Sequence, residues 1–151
     1  MVIFYLIQEL SVDHELIYTS RAYHEMTQEE LEELLVQSRE KNSRLNITGL
    51  LVYGNQEFVQ LLEGNKDDIF DLFHRIKKDE RNYNVVLRWN GIIENRSFNS
   101  WSMAFINSDK LDHTINQSYS RYLQDGISSL DLTGSESLGR KLLLWMRNDF
   151  L

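Results

Sequence analysis

The order of strand and helix patterns is the feature that most limits how this chain can fold. A short strand pattern at residues 16–20 is followed by a helix, two strands separated by Gly54-Asn55-Gln56, a second helix and two more strands. Each helix is long enough to be a right-handed crossover between parallel strands. The order β-α-β-β-α-β-β predicts a ferredoxin-like α+β sandwich, with a mixed five-stranded sheet and two helices on one face.

Local signals mark the start of both helices. Thr27 and Glu30 have the spacing of a capping box, and Asn65 precedes a second helix with acidic residues in its first turn. Helical spacing in the first helix gives one stripe, which contains Leu31, Leu34, Leu35, Ser38 and Asn42. The C-terminal half of this helix therefore turns a hydroxyl and an amide toward the buried side, unless that end of the helix is simply solvated.

A glutamine interrupts the apolar face of the third strand. Phe58, Gln60 and Leu62 point the same way because side chains alternate along a strand. An unpaired buried amide costs about 1–3 kcal/mol, so Gln60 must find partners. Its amide carries both a donor and an acceptor, and rotating it reverses what it offers. Gln60 is therefore either a quiet structural residue or a switch.

Other polar side chains converge on Gln60 in the predicted fold. They are Tyr18 on the first strand, and Ser38 and Asn42 on the first helix. A phenol, two amides and a hydroxyl between aliphatic walls suit a flat heterocycle with several donors and acceptors. No carboxylate pair, activated serine or glycine-rich phosphate loop accompanies them. The set is typical of a site that holds and senses a ligand rather than one that hydrolyses it.

Composition excludes several other classes of function. The net charge of −7 argues against nucleic acid or an anionic membrane as the main partner. The chain has no cysteine, and its four histidines are scattered, so thiolate chemistry is excluded and no metal site is expected. No signal-peptide pattern and no run long enough to span a bilayer is found, which predicts a cytoplasmic protein.

The two ends of the chain read differently from its middle. Residues 1–13 form an N-terminal extension whose pattern does not choose between an added strand or helix and an extension from an upstream start codon. Residues 107–151 form a C-terminal extension with helix patterns at 113–125 and 135–148. The last helix is apolar nearly all round, so we expect it to cover the free sheet face or to dock on another subunit.

The middle of the chain, residues 14–106, contains an ordered set of motifs. The motifs are residues 17–22 (IYTSRA), 38–42 (SREKN), 46–53 (NITGLLVY), 58–64 (FVQLLEG), 79–81 (DER) and 98–103 (FNSWSM). Each motif alone is weak, but the ordered set is specific: it resembles the BLUF domains, which are sensors of blue light using FAD. A departure is Asn82, where many relatives carry a histidine.

The resemblance implies a noncovalent FAD between the two helices, with Ser38, Asn42 and Gln60 at its polar edge. FMN would satisfy the same ring contacts, and FAD is the family's cofactor. Tyr18 would donate to Gln60 and pass an electron and a proton toward the excited flavin. The glutamine amide would be left rotated or tautomerised, and the absorption shifted to the red.

The resemblance also suggests two peripheral roles. Arg39, Arg75 and Arg81 would meet the ribityl or phosphate groups as charge-assisted donors. Trp101 and Met103 alternate on the predicted fifth strand and point to one face, so one of them can reach Gln60 and relay its state. The sequence does not decide which of the two packs inside.

The predicted function is a short stand-alone blue-light photoreceptor that is not itself an enzyme. Its output would pass through the C-terminal helices to a homo-oligomer or to a separate downstream response protein. One alternative is a non-photoactive ferredoxin-like module that binds a small ligand or a partner protein. Another is a small flavin-dependent redox enzyme.

Overall fold

Five strands form one mixed sheet in the computed structural model, which describes residues 12–110. The strands lie in the order β4-β1-β3-β2-β5; β2 and β5 are parallel, and the other neighbours are antiparallel. The strand bounds are β1 Asp13–Ala22, β2 Thr48–Gly54, β3 Glu57–Gly64, β4 Asn82–Ile93 and β5 Ala104–Asn107. The predicted ferredoxin-like α+β fold is confirmed.

Two helices, α1 (Gln28–Arg44) and α2 (Lys66–Lys77), pack on one face of this sheet. Both predicted caps are present. The backbone N–H of Glu30 donates to Thr27 Oγ1 at 3.2 Å, and Glu30 Oε2 accepts from the Thr27 N–H at 2.8 Å. Asn65 Oδ1 accepts from the Asp67 N–H at 3.0 Å. These bonds satisfy backbone donors that a helix start otherwise leaves unpaired, so each helix begins where its sequence predicts.

The β2–β3 hairpin closes with a two-residue turn. Asn55 and Gln56 have φ of 50° and 59°, the left-handed conformation that matches the twist of paired strands. A 3₁₀ turn (Ser108–Lys110) covers this hairpin tip: Ser108 Oγ donates to the Tyr53 carbonyl at 3.1 Å, and Asp109 Oδ1 accepts from the Asn55 N–H at 3.0 Å. A Cβ atom on Gly54 would lie 1.7 Å from Ser108 Oγ, so any other residue here requires Ser108 to move.

The fifth strand is shorter than the sequence predicts. Trp101 and Met103 precede β5 in an irregular stretch, and the prediction that they alternate along the strand is wrong. The reason is that other groups use part of their backbone. The Trp101 N–H donates to the Phe98 carbonyl in a turn at 3.0 Å, and the Met103 carbonyl accepts from Arg39 Nε at 3.0 Å, so regular pairing with β2 starts only at Ala104.

Several predictions fall on residues outside the described range. They are most of the N-terminal extension and the helices predicted at 113–125 and 135–148. Within residues 12–110, no helix has both the length and the apolar character needed to cross a bilayer.

Candidate functional site

Tyr18 and Gln60 lie directly opposite each other on β1 and β3. The Tyr18 hydroxyl donates to Gln60 Oε1, and Gln60 Nε2 donates to Met103 Sδ at 3.3 Å. Tyr18 is 4% exposed and Gln60 is 5% exposed. The amide therefore uses its acceptor on a phenol and its donor on a thioether, in a place where water does not compete.

The Tyr18 phenol is held in its neutral form. Burial raises the pKa of Tyr18 above its usual value, and the negative charge of Asp79 raises it further. The ring packs against Phe73, with 5.6 Å between the ring centroids. At neutral pH the Tyr18 phenol therefore keeps its proton and donates a hydrogen bond to Gln60 in the resting protein. It can release that proton only if the phenol itself becomes positively charged.

A cleft opens between α1, α2 and the sheet beside this pair. Its volume is about 850 Å³ when the open solvent at its mouth is included. Tyr18, Gln60, Ser38 and Asn42 all line it, so the structure brings these four predicted side chains together. The apolar part of the lining comes from the sheet and both helices: Leu34, Leu51, Phe58, Leu72 and Ile76.

The end of α1 places Ser38 and Asn42 at this cleft. Asn42 is 1% exposed, and its Nδ2 donates to the Ser102 carbonyl at 3.0 Å, which leaves Oδ1 and a second hydrogen for a ligand. Ser38 Oγ donates to the Leu34 carbonyl at 2.8 Å and keeps its lone pairs. Arg39 points elsewhere: it is not part of the cleft lining, and its Nε donates to Met103.

Ser20 lines the same cleft and was missed by the sequence reasoning. Its hydroxyl is buried, and no hydrogen-bond partner satisfies it among residues 12–110. Ser20 lies two residues beyond Tyr18 on β1, so strand alternation places both on the helix-facing side of the sheet. That spacing was the signal that could have found it. An orphaned buried hydroxyl is costly, which indicates that a bound group or water completes this site.

Charged side chains surround the mouth of the cleft. Arg81 forms a bidentate ion pair with Asp79, with Nε–Oδ1 and Nη2–Oδ2 distances of 3.0 and 2.6 Å. Its Nη1 also donates to Gln37 Oε1 on α1 at 3.0 Å. The hydrogen bond from Arg81 holds the pKa of Asp79 below its usual value. The nearby Asn82 Nδ2 donates to the Ile76 and Asp79 carbonyls at 3.0 and 2.9 Å. Arg81 therefore ties the chain after α2 to α1.

Arg75 is the predicted arginine that remains available at this mouth. It lines the cleft, and among residues 12–110 no hydrogen bond or ion pair engages its guanidinium. Arg81, by contrast, is already neutralised by Asp79. An anionic group entering the cleft would thus meet Arg75 without first having to break an existing ion pair.

Met103 and Trp101 occupy different environments. Met103 is 1% exposed and touches Gln60, whereas Trp101 is 39% exposed. In this structure Met103 is the relay candidate that reaches the amide. The described residues include no group of three or more acidic or histidine side chains able to hold a metal ion.

Comparison with known proteins identifies the family of this chain. Residues 14–104 match the family described as BLUF, sensors of blue light using FAD. The photoactivated adenylate cyclase subunit beta of Euglena longa is 33% identical over 97 residues, which make up 64% of this chain and 11% of the relative. The blue light- and temperature-regulated antirepressor BluF of Escherichia coli K12 is 31% identical over 71 residues, 47% of this chain and 18% of that protein.

Solved structures give the same assignment. The dark-state structure of BlrB, a BLUF protein, superposes with a TM-score of 0.68 at 28% identity, and the match covers 79% of this chain and 89% of BlrB. The chain spans only about a tenth of the length of the cyclase relatives that it matches. What those relatives share with it is the sensor region, and by that shared region the chain belongs to the BLUF family of blue-light sensors that use FAD.

Proposed function

We propose that this chain registers blue light through a change in the hydrogen bonds of Gln60, with FAD held in the cleft between α1 and α2. The observation that carries the proposal is the position of one amide between two different partners, the Tyr18 hydroxyl and the Met103 sulfur. An amide so placed has two arrangements that differ in hydrogen bonding but not in covalent structure.

The residues of the cleft fit a flavin. A flat ring with polar edges needs apolar walls and a few fixed donors and acceptors, which Asn42, Gln60 and Ser38 offer among aliphatic side chains. The orphaned Ser20 hydroxyl is a further polar group that a ligand or its water can satisfy. Arg75 at the mouth is the side chain we assign to a phosphate, ahead of Arg81, because its charge is not already paired within residues 12–110.

The chemistry that the protein contributes is a short proton transfer followed by an amide rearrangement. When bound, FAD supplies the blue-light absorption and an excited state that takes up an electron. Tyr18 loses its electron and passes the phenolic proton to Gln60 Oε1, along the hydrogen bond that already joins the two atoms. When Tyr18 has taken back both an electron and a proton, the Gln60 amide is left turned by half a revolution, with Oε1 and Nε2 exchanged.

The turned amide no longer presents a donor to Met103. Rotation exchanges Oε1 and Nε2, so an oxygen faces the sulfur, which has no hydrogen to give. The contact of 3.3 Å between Gln60 Nε2 and Met103 Sδ is therefore lost or weakened. This change is the first step by which the state of the cleft reaches the rest of the chain.

The output is proposed to lie outside the sensor unit. In this proposal residues 14–106 are the BLUF unit, and residues 107–151 transmit its state by self-assembly into a homo-oligomer or by binding a downstream response protein in the cytoplasm. The apolar run at residues 142–146, within the helix predicted at 135–148, supports an interface. The sensor unit itself is not catalytic, because Tyr18 is restored after each cycle and no substrate is converted.

An absorption spectrum before and after blue illumination tests the proposal. We expect FAD-loaded protein to show a flavin band that moves reversibly to longer wavelength. Tyr18→Phe should bind FAD and lose this shift, because the proton donor to Gln60 is removed.

Tyr53→Phe is the matched control for that variant. It also removes a buried phenolic hydroxyl, but one that accepts from the Met26 N–H at 2.8 Å and does not line the cleft. It should keep the shift. A Tyr18→Phe protein that shifts and recovers like the parent would contradict the assigned proton path, and a parent protein that takes up no flavin would contradict the function itself.

A further inference from the structure

A fully buried carboxylate stands at the end of the strand that carries Gln60. Glu63 is 0% exposed. Its Oε1 accepts from Thr48 Oγ1 at 2.9 Å and from the Phe98 backbone N–H at 2.7 Å, and its Oε2 accepts from the Ser97 N–H at 2.8 Å. Two of these donors belong to backbone more than thirty residues away, so Glu63 fixes a distant part of the chain to β3.

That distant part is the connecting segment, residues 94–103, which joins β4 to β5 without regular structure. Arg96 secures it a second time, with Nε and Nη2 at 2.9 and 3.0 Å from the Asp13 carboxylate and Nη1 at 2.7 Å from the Asn46 carbonyl. The hydrogen bond with Asp13 is the main cause of the raised pKa of Arg96, and the negative charge of Glu63 raises this pKa further. Glu63 and Arg96 thus form one charged anchor.

The other end of the connecting segment is the contact with the switch. Phe98 is fully buried, and its carbonyl accepts from the Trp101 N–H at 3.0 Å, which closes a turn. Two residues later, Met103 reaches Gln60. β3 therefore holds this segment at both ends, through a fixed carboxylate at residue 63 and through the movable amide at residue 60.

We propose that Glu63 is a positioning residue for the photoreaction: by fixing the Ser97 and Phe98 backbone it places the Met103 sulfur against Gln60 and so favours the arrangement in which the amide nitrogen faces Met103. This inference rests on the proposed amide rearrangement. Glu63 does not touch the cleft, and it acts only through the connecting segment.

The chemistry of the side chain explains why a carboxylate suits this place. An ionised carboxylate only accepts, and its two oxygens can serve all three donors at once. A glutamine could keep Oε1 for Thr48 and Phe98, but its NH₂ group would face the Ser97 N–H, so two donors would oppose each other. Glu63→Gln therefore loosens the connecting segment while nearly preserving the shape of the side chain.

The test compares Glu63→Gln with Thr48→Val in FAD-loaded protein. Both variants disturb the same carboxylate, but Thr48→Val removes the donor on β2 and a long bond of 3.4 Å from Arg96 Nη1, and it leaves the Ser97 and Phe98 contacts with Glu63. We expect both to bind FAD within twofold of the parent. Glu63→Gln should slow the thermal return after illumination about fivefold, which corresponds to ~1 kcal/mol, whereas Thr48→Val should stay within twofold.

A double-mutant cycle separates positioning from general loosening. If Glu63 acts through Met103, its effect on recovery should vanish when Glu63→Gln is made in a Met103→Leu background. Should Glu63→Gln fail to fold, Glu63→Asp, which keeps the charge but shortens the reach, goes through the same measurements with the same expected slowing.

The outcomes are distinct. A recovery rate within twofold of the parent or faster, an equal slowing in Thr48→Val, or an undiminished effect in the Met103→Leu background would overturn the role of Glu63. A parent protein that binds FAD but shows no spectral shift would instead overturn the proposed amide rearrangement on which this role rests.

Discussion

Gln60 and Glu63 stand three residues apart on β3, face opposite sides of the sheet, and are both buried. Gln60 has one donating and one accepting bond, to Met103 and Tyr18, and borders a cleft. Glu63 accepts three hydrogen bonds, all from groups that only donate to it. One strand thus carries a residue whose partners can be exchanged and another whose partners cannot.

The difference shows how a small protein can contain a switch without becoming loose. A neutral amide has two faces of opposite hydrogen-bonding character, so turning it costs only the difference between two sets of partners. A carboxylate has no such second arrangement, and removing a buried charge from its donors is expensive. Because both residues lie on β3, Glu63 keeps its part of the connecting segment fixed while the hydrogen bonds of Gln60 change.

Removing the Gln60 amide should give the largest effect, because β3 then lacks the residue whose hydrogen-bond partners can be exchanged. Gln60→Leu keeps the size of the side chain but can neither accept from Tyr18 nor donate to Met103. We expect complete loss of the light-induced red shift with FAD still bound, measured by absorption spectra. Glu63→Gln is the matched control, because it should change the recovery rate and keep the shift. A normal shift in Gln60→Leu would show that the switch lies elsewhere.

Forcing β2 away from β3 should disturb both residues together. A Cβ atom on Gly49 would lie 2.0 Å from the Leu61 carbonyl oxygen, a backbone atom that cannot move without shifting β3. We expect Gly49→Ala to lower the free energy of unfolding by about 3 kcal/mol, the upper part of the overpacking range, in urea titrations.

Gly91→Ala provides the control for that stability change. Its added Cβ would meet the Trp89 ring at 3.0 Å, a side chain that can shift by a few tenths of an ångström. The loss of stability should be clearly smaller than for Gly49→Ala. Equal losses would indicate that intrinsic strand preference, rather than the backbone contact, sets the cost at position 49.

The ion pair between Asp13 and Arg96, which anchors the connecting segment, predicts a smaller effect that depends on pH. The hydrogen bond from Arg96 holds the pKa of Asp13 below its usual value. A lowered pKa means that Asp13 adds stability above its unfolded value of about 3.9, and that this stability is lost as the pH falls through the lower folded value. Asp13→Asn should therefore destabilise the protein at pH 7.

The size and pH range of this loss can be measured by urea unfolding. We expect at most about 1 kcal/mol at pH 7, since the Asp13 side chain is 35% exposed and solvent weakens the pair. The gap between variant and parent should shrink as the pH falls below the unfolded value of about 3.9 and through the lower folded value, where the parent loses the same charge. A gap independent of pH would show that the carboxylate charge is not what stabilises the Arg96 end of the connecting segment.

Local hydrogen-bonding patterns made the elements predictable from sequence. The Thr27–Glu30 capping box and the Asn65 cap involve residues no more than three apart, so the sequence contains both partners. β1 runs well beyond the predicted residues 16–20, because β3 and β4 pair with it on both sides and extend its ladder past the apolar run. Propensity defines the middle of that strand, and tertiary pairing defines its ends.

The candidate site was only partly predictable. Strand alternation marked Gln60 as an amide on an apolar face, and the structure brings it to Tyr18. The same rule applies to Glu63, whose neighbours on its own face are Val59 and Leu61, but a charge at a strand end is ordinarily solvated, so the signal is easily missed. The connecting segment has no periodicity at all, and its course depends on contacts with residues far away in sequence.

The hairpin tip at Gly54 and Asn55 has a consequence for how this protein can vary. Surface turns are ordinarily where a chain accepts insertions and substitutions most readily. Here the 3₁₀ turn lies on the tip, with Ser108 Oγ occupying the space that a side chain at position 54 would need. Mutational tolerance at position 54 should therefore be lower than its place in a surface turn suggests: a library randomised there should be enriched in glycine, because every other residue requires Ser108 to move.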